Sequence, residues 1–149
     1  MQVVLVDVSD LVEFLQRRES VSGVQRVIAE TAPLLLEAPT EGLTWTPVVL
    51  DRGRGCFVPL TEEEAGTLLL RGARIGPTGA SRDELAVAAN ACLQRVRTAP
   101  ACAIDTHTTM LFLGAVWISD VLMKAAWAAH GSGARCVYLL YDLTPVLET

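Results

Sequence analysis

Apolar positions along this chain follow two rhythms, short unbroken runs and stripes at helical spacing. Val3 to Val8 is a run interrupted only by Asp7, and it predicts a first strand. Leu11, Phe14 and Leu15 then share one face of a helix over about Leu11 to Arg17, with Ser9 and Asp10 as its caps. Arg17-Arg-Glu-Ser20 reads as a solvated turn. A second helix opens at Ser22-Gly-Val-Gln-Arg-Val27, carried by Val24, Val27, Ile28, Leu34 and Leu35. Pro33 lies inside that stripe and predicts a kink or local break.

Thr44 to Leu50 predicts a second strand, Asp51 to Gly55 a turn, and Cys56 to Leu60 a short strand paired back as a hairpin. The turn holds two glycines and two arginines, but it lacks the order of a phosphate loop. Thr61 with Glu64, and Ser81 with Glu84, each have capping-box spacing. The first should open a short helix to about Leu70, ending near Gly72, before a loop at Gly76 to Gly79. The second opens the clearest helical stripe of the chain: Leu85, Ala88, Ala89, Cys92, Leu93 and Val96. Another strand spans Thr109 to Val116, and a helix follows through Ile118, Val121, Leu122, Ala125 and Ala129.

The final run, Cys136 to Tyr141, is apolar for six residues and predicts a strand buried on both faces. Pro145 prevents it from continuing far. Strands alternate with helices, which predicts an α/β fold with a mainly parallel sheet. The chain stops soon after its last strand, and this reads as the front part of a larger architecture.

Composition narrows the choices. The chain has 149 residues, one domain's worth, with 51% hydrophobic and 19% charged residues, enough to bury a core. A net charge of −5 argues against nonspecific nucleic-acid binding as its main role. The four cysteines show no CxxC spacing, and neither histidine has a partner at metal-ligand spacing, so no metal or cofactor is called for. The N-terminus has no basic segment before its apolar run, and no run is long enough to span a bilayer. These features predict a soluble cytoplasmic protein, compatible with a peripheral position at the inner membrane.

Candidate chemistry lies where parallel strands end, because ligands of open α/β sheets sit beyond the carboxyl ends of the strands. Asp142 is placed there, although the same residue would serve to cap or turn the chain. Gly23 would let a ligand approach the backbone at a helix N-terminus, with Arg26 adding charge for an anion. A turn glycine and a solvated arginine would look the same. Trp117 offers an apolar face for a sugar ring, and it also fits plain core packing.

Four segments occur in a telling order: Val6-Asp-Val-Ser9, Ser22-Gly-Val-Gln-Arg-Val27, Leu113-Gly-Ala-Val-Trp117 and Tyr141-Asp-Leu-Thr-Pro145. Together they resemble the N-terminal Rossmann-like half of bacterial GT-B glycosyltransferases, the retaining group called family 4 or "glycosyl transferases group 1". The resemblance covers nearly the whole chain. It implies the acceptor-side domain of an enzyme that moves a sugar from a nucleotide-sugar to a glycan or lipid-linked acceptor. By motif, Gly23 would be the glycine near the donor phosphates and Arg26 its neighbouring cation, and Asp142 would be the strand-end Asp. Tyr141 stands where the family carries a His, and a phenol cannot do the same proton work near neutral pH. The family's C-terminal domain, with its donor contacts and E-x7-E element, has no counterpart in this sequence, so activity would require a C-terminal partner domain. The contrasting expectation is a non-catalytic Rossmann-like binding or interaction module.

Overall fold

A computed structural model describes residues 2–17, 23–38, 40–71 and 81–140. The loop at Gly76 to Gly79, the helix end near Gly72, Ser22, Tyr141, Asp142 and Pro145 lie outside the described residues. Among the described residues five strands form one sheet: β1 (Gln2–Asp7), β2 (Leu43–Asp51), β3 (Cys56–Pro59), β4 (Thr108–Phe112) and β5 (Arg135–Tyr138). Their spatial order is β3-β2-β1-β4-β5. All neighbours are parallel except β2 and β3, which form the predicted antiparallel hairpin. The architecture is α/β with a Rossmann-like, mostly parallel sheet, as the alternation predicted.

Successive strand residues face opposite ways, so each strand feeds two cores. Val4, Val6 and Val49 pack with helices α1 (Ser9–Gln16), α2 (Gly23–Glu37) and α4 (Arg82–Val96). Leu5, Leu50, Phe57, Met110 and Phe112 pack on the other face with α5 (Asp120–Gly131). The predicted stripe of α4 is inward, with Leu85, Ala89, Cys92 and Val96 buried. Both capping boxes form: the Glu64 and Glu84 amides donate to Thr61 Oγ1 at 3.2 Å and Ser81 Oγ at 3.1 Å. In return, the Thr61 and Ser81 amides donate to the glutamate carboxylates at 2.9 Å each. The first box opens α3 (Glu62–Ala65), which continues as a π-helical stretch, Gly66–Arg71.

Glu64 has a further task. Arg95 Nε and Nη2 donate to its two oxygens at 2.7 Å each, and Nη2 also reaches the Pro59 carbonyl at 2.8 Å. One carboxylate thereby joins α3 to α4, while its partner arginine holds the end of β3. Such bidentate pairs are the strong form of charged hydrogen bond.

Several expectations are corrected. Ser9 and Asp10 do not cap α1, which has no side-chain cap. The Ser9 hydroxyl is instead committed to the sheet, donating to Asp7 and accepting from the Leu50 amide. Helix α2 is not broken at Pro33 but runs on to Glu37. Ile28, Ala29 and Ala32 before the proline, and Leu35 and Leu36 after it, all pack on the same core. That packing holds both halves in one helix despite the missing N–H. Strand β4 ends at Phe112 rather than Val116, because Gly114 leaves the ladder and Val116–Ile118 winds into a 3-10 turn.

The last strand departs most from expectation. It lies at the sheet edge, and Val137 and Tyr138 are 42% and 44% exposed. An apolar run of that length fits an edge strand as well as a central one, since composition does not say how many neighbours a strand has.

Gly23 starts α2 with a φ of +55°, and a Cβ there would meet no atom within 4 Å. Backbone conformation, not space, requires the glycine. Gly66 has a helical φ of −58° and is equally open. Gly23→Ala should therefore cost about 1 kcal/mol through left-handed strain. Gly66→Ala should add roughly 0.5 kcal/mol by restricting the unfolded chain. Urea denaturation of the two variants checks this, and shifts of equal sign would contradict it.

Candidate functional site

Between β1 and β4 the chain order reverses, since β1 leads to β2 on one side while β4 lies on the other. Such a switch point opens a crevice beyond the strand carboxyl ends. A cavity of about 660 Å³ occupies this place, lined by one side of α1 from Ser9 to Arg17, Gln25 of α2, Leu50 near the end of β2 with Arg52 just after it, and Ala115 with Ile118 to Leu122 after β4. Gly114 lets these parts approach closely, since a Cβ there would lie 3.2 Å from Cβ of Asp10.

Charges are arranged in pairs around the cavity. Arg52 Nε and Nη2 donate to the Glu13 carboxylate at 2.6 and 2.7 Å, and Nη1 donates to Ser119 Oγ at 2.9 Å. Ser119 also caps α5 by accepting from the Leu122 amide at 3.3 Å. Arg52 thus ties the end of β2 to α1 and to the start of α5. Asp10 faces Gln25, whose Nε2 lies 3.4 Å from both carboxylate oxygens. Partial burial raises the Asp10 carboxyl above its ordinary range, and the Gln25 contact opposes that rise.

Asp7 lies beneath, only 1% exposed. Its Oδ1 accepts from the Ser9 amide at 3.1 Å and the Ser9 hydroxyl at 2.5 Å. Its Oδ2 is buried and has no hydrogen-bond partner among the described residues. Burial is the largest influence on this carboxyl and pushes its pKa up to about 6, against the Ser9 bonds that favour the charged form. The charges of Asp10 and Glu13 push the same way as burial.

The residues singled out from sequence are dispersed relative to this cavity. Gly23 lies at the start of α2, but the side chain that α2 sends to the cavity is Gln25. Arg26 turns away and pairs with Glu30 at 2.9 Å, with its side chain 71% exposed. Trp117 is 41% exposed on the 3-10 turn, so the core reading does not hold, and Ile118 and Ser119 line the cavity in its place. Tyr141 and Asp142 lie outside the described residues. Sequence reasoning passed over Asp7, Asp10, Glu13, Gln25 and Arg52. Asp7 did carry a signal, as the lone acid at the carboxyl end of an apolar strand.

The arrangement suits a hydroxyl-rich ligand. Carboxylates accept from hydroxyls, while a carboxamide both donates and accepts. Among the described residues no group of His, Cys, Asp and Glu side chains is placed to hold a metal ion. No described helix is long and apolar enough to cross a membrane.

Fold and cavity together define an α/β protein with a Rossmann-like sheet and a switch-point cleft. No family model, curated protein or solved structure matches the chain.

Proposed function

We propose that this chain is the acceptor-side half of a retaining GT-B glycosyltransferase. With a C-terminal domain it would move a sugar from a nucleotide-sugar to a glycan or lipid-linked acceptor, and it would be inactive alone. The observation that carries this reading is the switch-point cavity with Asp10, Glu13 and Gln25 on its wall. Paired carboxylates and a carboxamide are the groups that hold sugar hydroxyls, and the ordered sequence segments point to the same family. Gly23, Arg26, Trp117, Tyr141 and Asp142 keep the roles that the resemblance gives them only within this proposal.

NMR titration of the labelled chain with neutral oligosaccharides tests the reading. Saturable shifts should cluster at Asp10, Glu13, Gln25 and Ser119, and Asp10→Asn should weaken them several-fold. Shifts scattered over the surface, or none at saturating sugar, would overturn it. Binding at the cavity with no sugar transfer after a C-terminal donor domain is supplied would instead assign a binding module.

A further inference from the structure

Beside the sugar-sized cavity lies a second hollow of about 590 Å³, and the two share Glu13, Arg17, Leu50 and Arg52. The second hollow has the opposite character. Four guanidinium groups line it, from Arg17, Arg52, Arg54 and Arg97, against the two carboxylates of Glu13 and Asp51. That leaves an excess of two positive charges on a chain whose net charge is −5.

Both carboxylates are already engaged. Glu13 is held by Arg52, and Asp51 accepts from Arg54 Nε and from the Gly53 amide. Arg54 also donates to the Val96 and Ala99 carbonyls at the end of α4, which fixes the turn against that helix. Arg17 ends α1 and Arg97 ends α4, both exposed. Among the described residues neither side chain makes a hydrogen bond or ion pair at contact distance. A guanidinium at a helix C-terminus is favourable by itself. The dipole does not account for two such ends meeting two anchored arginines around one hollow.

We propose that this hollow is a phosphoryl-binding subsite continuous with the sugar cavity. The ligand it fits is a sugar phosphate or phosphodiester, with hydroxyls on the Asp10 and Glu13 side and the phosphoryl group among Arg17, Arg52 and Arg97. Arg52 would contact both parts, since it lines both hollows. This rests on the proposed acceptor role and sharpens it: the acceptor would carry its sugar on a phosphoryl group. Guanidinium forks match phosphate oxygens in geometry, and each such bond is charge-assisted.

The test compares glucose with glucose 1-phosphate by NMR titration at low and high salt, on the unaltered chain, on Arg97→Ala, which lines the second hollow and not the first, and on Arg135→Ala, exposed and outside both hollows, as an off-site control. Glucose 1-phosphate should bind at least about tenfold tighter than glucose, with shifts spreading to Gly53, Gln94 and Arg97. High salt and Arg97→Ala should each cut that advantage several-fold while leaving glucose binding intact, and Arg135→Ala should change nothing. Equal affinity for the two ligands, or an advantage unchanged in Arg97→Ala, would overturn the subsite while leaving the sugar site standing. Loss of glucose binding itself would count against the sugar site. Phosphatidylcholine vesicles with and without phosphatidic acid separate the sources. Capture that needs phosphatidic acid and Arg97, alongside the preference for glucose 1-phosphate, would assign the phosphoryl group to a lipid headgroup, and that preference without capture would assign it to a free sugar phosphate.

Discussion

Replacing Asp7 with asparagine should flatten the pH dependence of stability between about pH 4 and pH 6.5. The unfolded carboxyl titrates near 3.8 and the folded one near 6, so across that interval the folded state binds the extra proton. Stability contributed by protonated Asp7 is therefore fully present below the lower value and is lost as pH rises through the upper one. The difference amounts to about 3 kcal/mol. Asparagine keeps an oxygen for the Ser9 amide and hydroxyl, but it places an amide where Oδ2 has no partner, which costs roughly 1–3 kcal/mol at every pH.

The stability of Asp7→Asn relative to the unaltered chain should thus climb by about 2 kcal/mol of that total between pH 4 and pH 6.5, then stay level. The carboxyls of Asp51, held low chiefly by Arg54, and of Glu64, which partial burial raises but Arg95 and the Thr61 amide together bring below its ordinary value, act in the opposite direction. Their contribution is present above their ordinary range and lost as pH falls below it, and it cancels in the comparison. Urea denaturation at a series of pH values measures the difference, and parallel curves would show that folding does not raise the Asp7 pKa.

The same residue shows what the sequence made legible and what it hid. Alternating apolar runs and stripes were enough to place β1, the β2–β3 hairpin, both capping boxes and the inward face of α4, because each depends on neighbours within a turn or a strand. The cavity depends on contacts far apart in sequence. Arg52 meets Glu13 and Ser119 across separations of 39 and 67 residues, and nothing in a Gly-Arg turn announces such partners. Ser9 shows the limit from the other side. Its position before a helix favours a cap, yet a strand amide and a buried carboxylate compete for the hydroxyl and win. Edge or centre was equally hidden for β5, since that depends on strand order. Arg26 and Trp117 were chosen for chemical type, but the helical phase of α2 sends Gln25 inward, and the 3-10 turn after β4 presents Ile118.

Phe112→Ala should have the largest effect of any substitution considered, a loss of about 3–5 kcal/mol. Phe112 is fully buried in β4 between β1 and β5. Its ring meets Phe57 edge-on at 6.0 Å and stacks on Tyr138 at 5.0 Å with planes only 9° apart. Truncation removes the ring's burial, leaves a cavity and ends both aromatic contacts. Against a total stability of about 5–15 kcal/mol for a domain, the variant should be close to unfolding at 37 °C. Phe112→Leu keeps most of the volume and should lose about half as much. Edge strand β5 depends on this contact more than β1 does, because among the described residues it has only one neighbour in the sheet. Amide hydrogen exchange should therefore show Cys136 to Tyr138 losing protection in Phe112→Leu before Val4 to Val6 does. Uniform loss across all five strands would mean that β5 is held by the sheet as a whole, and that the ring stack has no particular role in seating the strand that leads to Tyr141 and Asp142.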